Sequence, residues 1–170
     1  FRVQSLRLQA PGTRIEGALK LDLAAETIEG NIAGKAQNLA WISGITGFPL
    51  AGQLDLKLST KGPMTYPRLK GRLSAQQLVV GAVSVDKIRL HANLAPTSDE
   101  PGTLDLAITG AETDAVAIEQ ATLKLRGSLE QADIDLNVSG TAGQAFELGT
   151  QGRLELAADR FRVSLSAGNA

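Results

Sequence analysis

Residues Gly62 to Leu94 read GPMTYPRLKGRLSAQQLVVGAVSVDKIRLHANL, and their alternation of apolar and polar residues decides the fold of this 170-residue chain. Pro63 and Pro67 lack a backbone N–H and interrupt strand pairing at the start of the stretch. After them, aliphatic residues or glycine occupy every second position up to Ala75, and charged or polar residues lie between them. The alternation resumes after a turn near Gly81. The stretch therefore predicts a strand, a tight turn and a second strand, with one apolar face and one polar face.

The same alternation recurs along the rest of the chain and predicts about twelve strands joined by short turns, the pattern of an antiparallel meander. We therefore predict an all-β fold, an elongated and curved antiparallel sheet folded as a hydrophobic groove. The residues predicted to line this groove are Leu19, Leu21, Leu54, Leu56, Leu58, Leu69, Leu73, Ile88, Leu90, Leu104, Leu106, Ile108, Leu123, Leu125, Ile134, Leu136, Val138, Leu154, Leu156 and Val163.

A five-residue pattern with glycine between two aliphatic residues, as in Leu69-Lys-Gly71-Arg-Leu73, recurs along the chain, with one variant copy. Glycine at a packed strand position is common where a sheet bends or where another group approaches the backbone closely. For any one copy, a bulge or the corner of a closed sandwich is an equal alternative. Six copies favour a sheet bent repeatedly along one line, with bends at Gly17, Gly30, Gly52, Gly71, Gly127 and Gly152.

Two arrangements could shelter the apolar face. The sheet could close on a second sheet as a sandwich, or it could stay open as a trough with an apolar inner wall. Sandwich cores usually contain large aromatic side chains, and aromatic residues are only 4% of this chain. Composition therefore favours the trough. A closed β-sandwich, as a structural or adhesive domain of a secreted protein, remains the alternative.

One short helix is predicted at about residues 38–47. Asn38 is a suitable N-cap, and Gly44 or Gly47 can end the helix. We expect its tryptophan to pack against the mouth of the trough. The residues at helical spacing are Leu39, Trp41, Ile42 and Ile45.

Composition excludes several functions. Lys and Arg number 17 against 18 Asp and Glu, so the net charge of -1 predicts neither a nucleic-acid footprint nor a polybasic membrane patch. The chain has no cysteine, which excludes disulfides and thiolate zinc sites. His91 is the only histidine, and no triad spacing or metal-ligand cluster accompanies it. We predict a protein that is not an enzyme and needs no metal or cofactor.

The stretch from Gly62 to Ala75 resembles the TamB and AsmA-like family, in which glycine and proline followed by Pro-x-Leu-x-Gly-x-Leu opens each repeat. The helix with Trp41, followed by Leu50-Ala-Gly52-Gln-Leu54, is similar to the conserved C-terminal region of the same family. The resemblance implies that residues 1–170 are a single fragment of a longer protein with a repeating β-groove.

The resemblance also implies a function. Members of this family are periplasmic proteins of Gram-negative bacteria, anchored in the inner membrane, whose β-taco groove reaches toward the outer membrane. There the translocation and assembly module includes the barrel protein TamA. The expected roles are assembly of outer-membrane barrel proteins such as autotransporters, and phospholipid transport between the membranes. The expected cargo is therefore the acyl chains of phospholipid or unfolded β-barrel precursors, both of which are apolar matter moving through water.

Overall fold

The computed structural model describes residues 2–65, 67–94, 101–128, 131–157 and 160–167; the side chains of 2–4, 42, 45, 46, 154–157 and 160–167 lie outside this description. The elements are β1 (Arg2–Ala10), β2 (Thr13–Asp22), β3 (Thr27–Ala36), α1 (Ala40–Thr46), β4 (Leu50–Pro63), β5 (Arg68–Val80), β6 (Val83–Leu94), β7 (Gly102–Glu112), β8 (Ala117–Gly127), β9 (Gln131–Ala142), β10 (Gln144–Ala157) and β11 (Arg160–Ala167).

The eleven strands of the described residues form one sheet in chain order, and each strand is antiparallel to its neighbours. The sheet is open and does not close on itself. This confirms the predicted all-β fold with an open antiparallel sheet and one short helix. The alternative of a closed sandwich is wrong, because the described strands make a single layer.

The described residues form eleven strands, against about twelve predicted. Within two of them the alternation breaks, because the apolar residues skip from Val85 to Ile88 and from Ile118 to Ala121. In the structure β6 and β8 run through these breaks without interruption. At Asp86 the two neighbouring strands contain an extra residue as well and the register is kept, whereas at Glu119 the register with β9 shifts, as in a β-bulge.

The bulges form a line across the middle of the sheet. Strands β5 to β8 each contain one residue that is skipped in the register, and these four residues lie at the same level of the sheet. They are Gln77, Asp86, Gly110 and Glu119. Pairing resumes beyond this line with Leu78, Val85, Ala111 and Ile118. The register shifts only at the borders of the line, against β4 and against β9. Because one extra residue reverses the alternation, the bulges return the aliphatic side chains to the face they would otherwise leave.

A thin core follows from the single layer. Among the described residues no large side chain is fully buried, and the buried hydrophobic residues are Ala36, Leu39, Ala75, Ala92 and Ala132. A sandwich would bury leucines and isoleucines between its two sheets. Here the aliphatic side chains are covered only by their neighbours in the same face.

The helix α1 is shorter than predicted and lies against β4, where the Leu50 N–H donates to the Ser43 hydroxyl at 2.7 Å. Its N-cap position is Leu39 instead of Asn38, although the side-chain oxygen of Asn38 still accepts a hydrogen bond from the Ala40 N–H at 2.8 Å. Gly47, with φ +73°, ends the helix. The indole Nε1 of Trp41 donates to Oγ1 of Thr13 at 2.9 Å, and Thr13 is only 4% exposed.

Within the described residues, we find no helix of the length and hydrophobicity that a membrane span requires.

Candidate functional site

The centre of the apolar face is a ladder of six leucines, one from each of six consecutive strands. The register pairs Leu56 with Leu73, Leu73 with Leu90, and so on through β9, because each is directly opposite the next. Paired strands lie about 4.8 Å apart, so the ladder spans about 24 Å. We call this row the leucine ladder: Leu56, Leu73, Leu90, Leu106, Leu123 and Leu136.

Parallel rows flank the leucine ladder on the same face. On the side toward the bulges lie Leu54, Ile88, Ile108 and Val138, and on the other side lie Leu58, Leu104, Leu125 and Ile134. Leu19 and Leu69 occupy the next row outward, and Leu21 the one beyond it. The register thus brings every predicted groove residue with a described side chain to one face. The remaining three, Leu154, Leu156 and Val163, lie outside the described side chains.

Exposure on this face rises from its centre toward its outer strands. All the leucines of the ladder are half-buried. On β1 and β10, by contrast, Leu6 and Leu148 are each 55% exposed. A side chain in a central strand has apolar neighbours on both sides, whereas toward the outer strands there is less apolar surface to cover it. The face is therefore an apolar wall that is sheltered along its middle and accessible to solvent.

Glycines on this face leave room for side chains of neighbouring strands. A Cβ on Gly30 would lie 2.8 Å from Cδ1 of Leu19, and a Cβ on Gly71 would lie 3.0 Å from Cδ1 of Leu58. Around Gly17 and Gly30 the face contains a depression of about 420 Å³, lined also by Leu6, Leu19 and Ile32. Because these glycines have no Cβ atom, the apolar face is recessed at their positions.

The six glycines predicted to bend the sheet do not all share one row of the register. Gly17, Gly71 and Gly152 lie in the row of Leu58, and Gly30 and Gly127 lie in the next row. Gly52 lies at the opposite end of β4, beside the bulge at Gln77. Its φ is +116°, and a Cβ there would meet the Gln77 carbonyl oxygen at 2.5 Å. Local packing explains these glycines better than one continuous bend.

The opposite face of the sheet is polar and charged. A depression of about 680 Å³ is lined by side chains of both signs, among them Lys35, Asp55, Arg89 and Asp105. His91 lies on this face and is exposed. In the described part of the chain, no three His, Cys, Asp or Glu side chains lie close enough together to hold a metal ion. The charged and polar side chains of this face are hydrated, so the sheet has one hydrated face and one apolar face.

A single open sheet with one continuous apolar wall belongs to the class of proteins that shelter hydrophobic matter along a surface instead of inside a closed cavity. The family model described as "TamB, N-terminal domain" matches residues 43–169, which is most of the chain. The chain therefore belongs to the TamB family. No curated protein and no solved structure matches it.

The match also corrects one interpretation. The helix and the segment after it suggested the C-terminal region of the family, but the model that matches describes the N-terminal domain. The motifs that carried the resemblance, a glycine between aliphatic residues and a Gly-Pro opening, belong to a repeating sheet. A repeated motif identifies the family but does not place a segment along its length.

Proposed function

We propose that this chain is a segment of a periplasmic hydrophobic conduit, which supports assembly of outer-membrane β-barrel proteins, phospholipid transport between the membranes, or both. The observation that carries the proposal is the leucine ladder with its flanking rows, an apolar wall that no other described element covers. Monomeric proteins rarely expose large contiguous apolar surfaces unless they bind something there.

The wall meets the energetic requirement of a lipid carrier. Moving a 16-carbon acyl chain into water costs about 13 kcal/mol, at about 0.8 kcal/mol per methylene, so a carrier must replace most of that burial. One leaflet of the hydrocarbon core is about 15 Å thick, whereas the leucine ladder spans about 24 Å. An acyl chain can therefore lie along the rows in contact with side chains over its full length. Aliphatic side chains can contact such a chain at any point along the wall, and they need no specific hydrogen bond to hold it.

Barrel precursors have the same requirement. Their strands alternate apolar and polar residues, and the apolar side must be kept from water until insertion. The wall offers the same aliphatic surface to both cargoes, so the proposal includes both. Family membership supports the remaining parts of it, namely anchoring in the inner membrane, periplasmic location and cooperation with the barrel protein TamA.

The test is native mass spectrometry, with lipid extraction, of the chain purified from a bacterial envelope without detergent. We expect bound phospholipid in the unaltered chain and its loss when Leu125→Asp and Leu136→Asp place two carboxylates in the wall. The matched control carries Thr103→Asp and Thr122→Asp, which add the same charge to the polar face of β7 and β8.

The control must keep its lipid for the proposal to stand. Equal loss from both variants would show that added charge, and not the wall, governs binding. A chain that carries no lipid but protects a barrel precursor from aggregation, in a manner that the Leu variants abolish, would assign the wall to protein cargo. A chain that neither carries lipid nor protects precursors would contradict the proposed function.

A further inference from the structure

The polar face contains a cluster of cations that the even charge balance of the sequence conceals. The register places Lys57 of β4 directly opposite Arg72 of β5, and Arg72 directly opposite His91 of β6. Lys70 lies two residues from Arg72 on the same face, and Arg89 lies two residues from His91. We call Lys57, Lys70, Arg72 and Arg89 the basic patch.

Carboxylates lie beside the basic patch, since Asp55 and Asp105 line one depression with Arg72 and Arg89, but no described carboxylate forms an ion pair with it. The ion pairs that this part forms lie elsewhere, for example Lys61 with Glu29 at 3.7 Å and Arg153 with Asp133 at 3.1 Å. None of the four patch residues is in an ion pair with a described residue. Like charges directly opposite one another weaken a strand pair. The sheet therefore tolerates an unfavourable arrangement here.

The same row shows that this arrangement is local. On the next strand, β7, Asp105 lies opposite both His91 and Lys124, and Lys124 lies opposite Asp135, so that charges alternate. Asp55 and Asp105 flank the patch without pairing with it. The chain thus uses complementary charge on β7 to β9 and leaves β4 to β6 cationic.

The patch surrounds a depression with further hydrogen-bond donors. The depression has a volume of about 530 Å³ and is lined by Lys57, Lys70, Arg72 and His91, together with Asn31, Ser59 and Asn93. An arginine fork, ammonium groups, amides and a hydroxyl together suit a tetrahedral anion with several oxygens. An acidic peptide could not add itself here as a strand, because β4, β5 and β6 are each paired on both sides.

We propose that the basic patch binds the phosphate of anionic lipid head groups at a membrane surface. The patch lies directly behind Leu58, Gly71 and Ala92 of the apolar wall, on the other face of the same strands. A lipid whose acyl chain lies on the wall cannot also place its head group in the patch. The patch is thus a second contact with lipid, independent of the cargo path.

The experiment measures co-sedimentation of the chain with vesicles that contain phosphatidylglycerol and with vesicles of phosphatidylcholine alone. We expect binding to the anionic vesicles that weakens with salt. The double variant Lys57→Gln and Arg72→Gln should bind roughly 30-fold more weakly, as expected when two basic contacts with an anionic surface are lost. The control, Lys61→Gln with Arg153→Gln, removes the same charge from cations that already have carboxylate partners and should change binding less than about threefold.

Several outcomes would overturn the proposal. Equal weakening in both double variants would show that net charge, and not the patch, governs vesicle binding. Equal binding to both kinds of vesicle would show that binding does not depend on anionic head groups. Displacement by poly-glutamate, but not by pyrophosphate at the same ionic strength, would make the partner an acidic protein. Saturation by inorganic phosphate alone, with no vesicle binding, would make it a free anion. By contrast, retained anionic-vesicle binding by the Leu125→Asp and Leu136→Asp variant would support the proposal, because it separates the patch from the wall.

Discussion

A single carboxylate in the leucine ladder should leave the chain folded, and Leu123→Asp is the substitution that tests this most clearly. Leu123 is half-buried between Leu106 and Leu136. Full burial of a leucine contributes about 1.5–3 kcal/mol, so half of it amounts to about 0.75–1.5 kcal/mol. Aspartate is also a poor strand residue, by up to about 1 kcal/mol. We therefore expect a loss of about 2 kcal/mol in the free energy of unfolding.

The larger cost of burying a charge should be absent. A carboxylate enclosed in an apolar core would add several kcal/mol, but the open face lets the Asp side chain keep its water. Urea denaturation followed by circular dichroism measures the loss, and the slope of the transition should stay unchanged because the same surface becomes exposed on unfolding. Thr122→Asp, on the polar face of the same strand, should cost less than about 1 kcal/mol. A loss above about 4 kcal/mol for Leu123→Asp alone would mean that the wall is covered, and would refute the reasoning.

Four further substitutions probe other features. Gly52→Ala should lower the free energy of unfolding by about 2 kcal/mol or more, because the φ of Gly52 is +116° and backbone atoms lie where the Cβ would be. Gly71→Ala should cost less than about 1 kcal/mol, because its Cβ would meet the end of a leucine side chain. Thermal melts of the two variants compare these losses. Trp41→Phe should cost about 1–3 kcal/mol in the same assay, since it leaves the buried Thr13 hydroxyl without its donor, and an unchanged melt would contradict that contact. Arg72→Gln should stabilise the chain by a few tenths of a kcal/mol at low salt by relieving repulsion, and the gain should vanish at high salt; destabilisation would instead reveal a partner for Arg72 within the chain.

The alternation of residue types was enough to predict the sheet and its two faces. Side chains in a strand point to alternate sides, so each period-2 run assigns its aliphatic residues to one face whatever its neighbours are. Short turns then imply that consecutive strands pair, which is how residues as distant in sequence as Leu56 and Leu136 come to share one ladder.

Features that depend on register were beyond the sequence patterns. The alternation alone does not show that Asp86 and Glu119 belong to one line of extra residues, which becomes visible only when the strands are paired. The basic patch is equally invisible, since Lys57, Arg72 and His91 lie far apart in sequence and the net charge is close to zero. Pairing of strands, and not the local sequence, brings these residues together.

The most direct test of the apolar wall is site-specific photo-crosslinking in living cells, with a benzophenone amino acid placed in the intact protein. At Leu90, in the middle of the leucine ladder, we expect crosslinks to phospholipid or to barrel precursors. At Thr122, on the polar face of β8 and outside the basic patch, we expect none to these apolar cargoes. Cargo captured equally at both positions, or only at Thr122, would contradict the account.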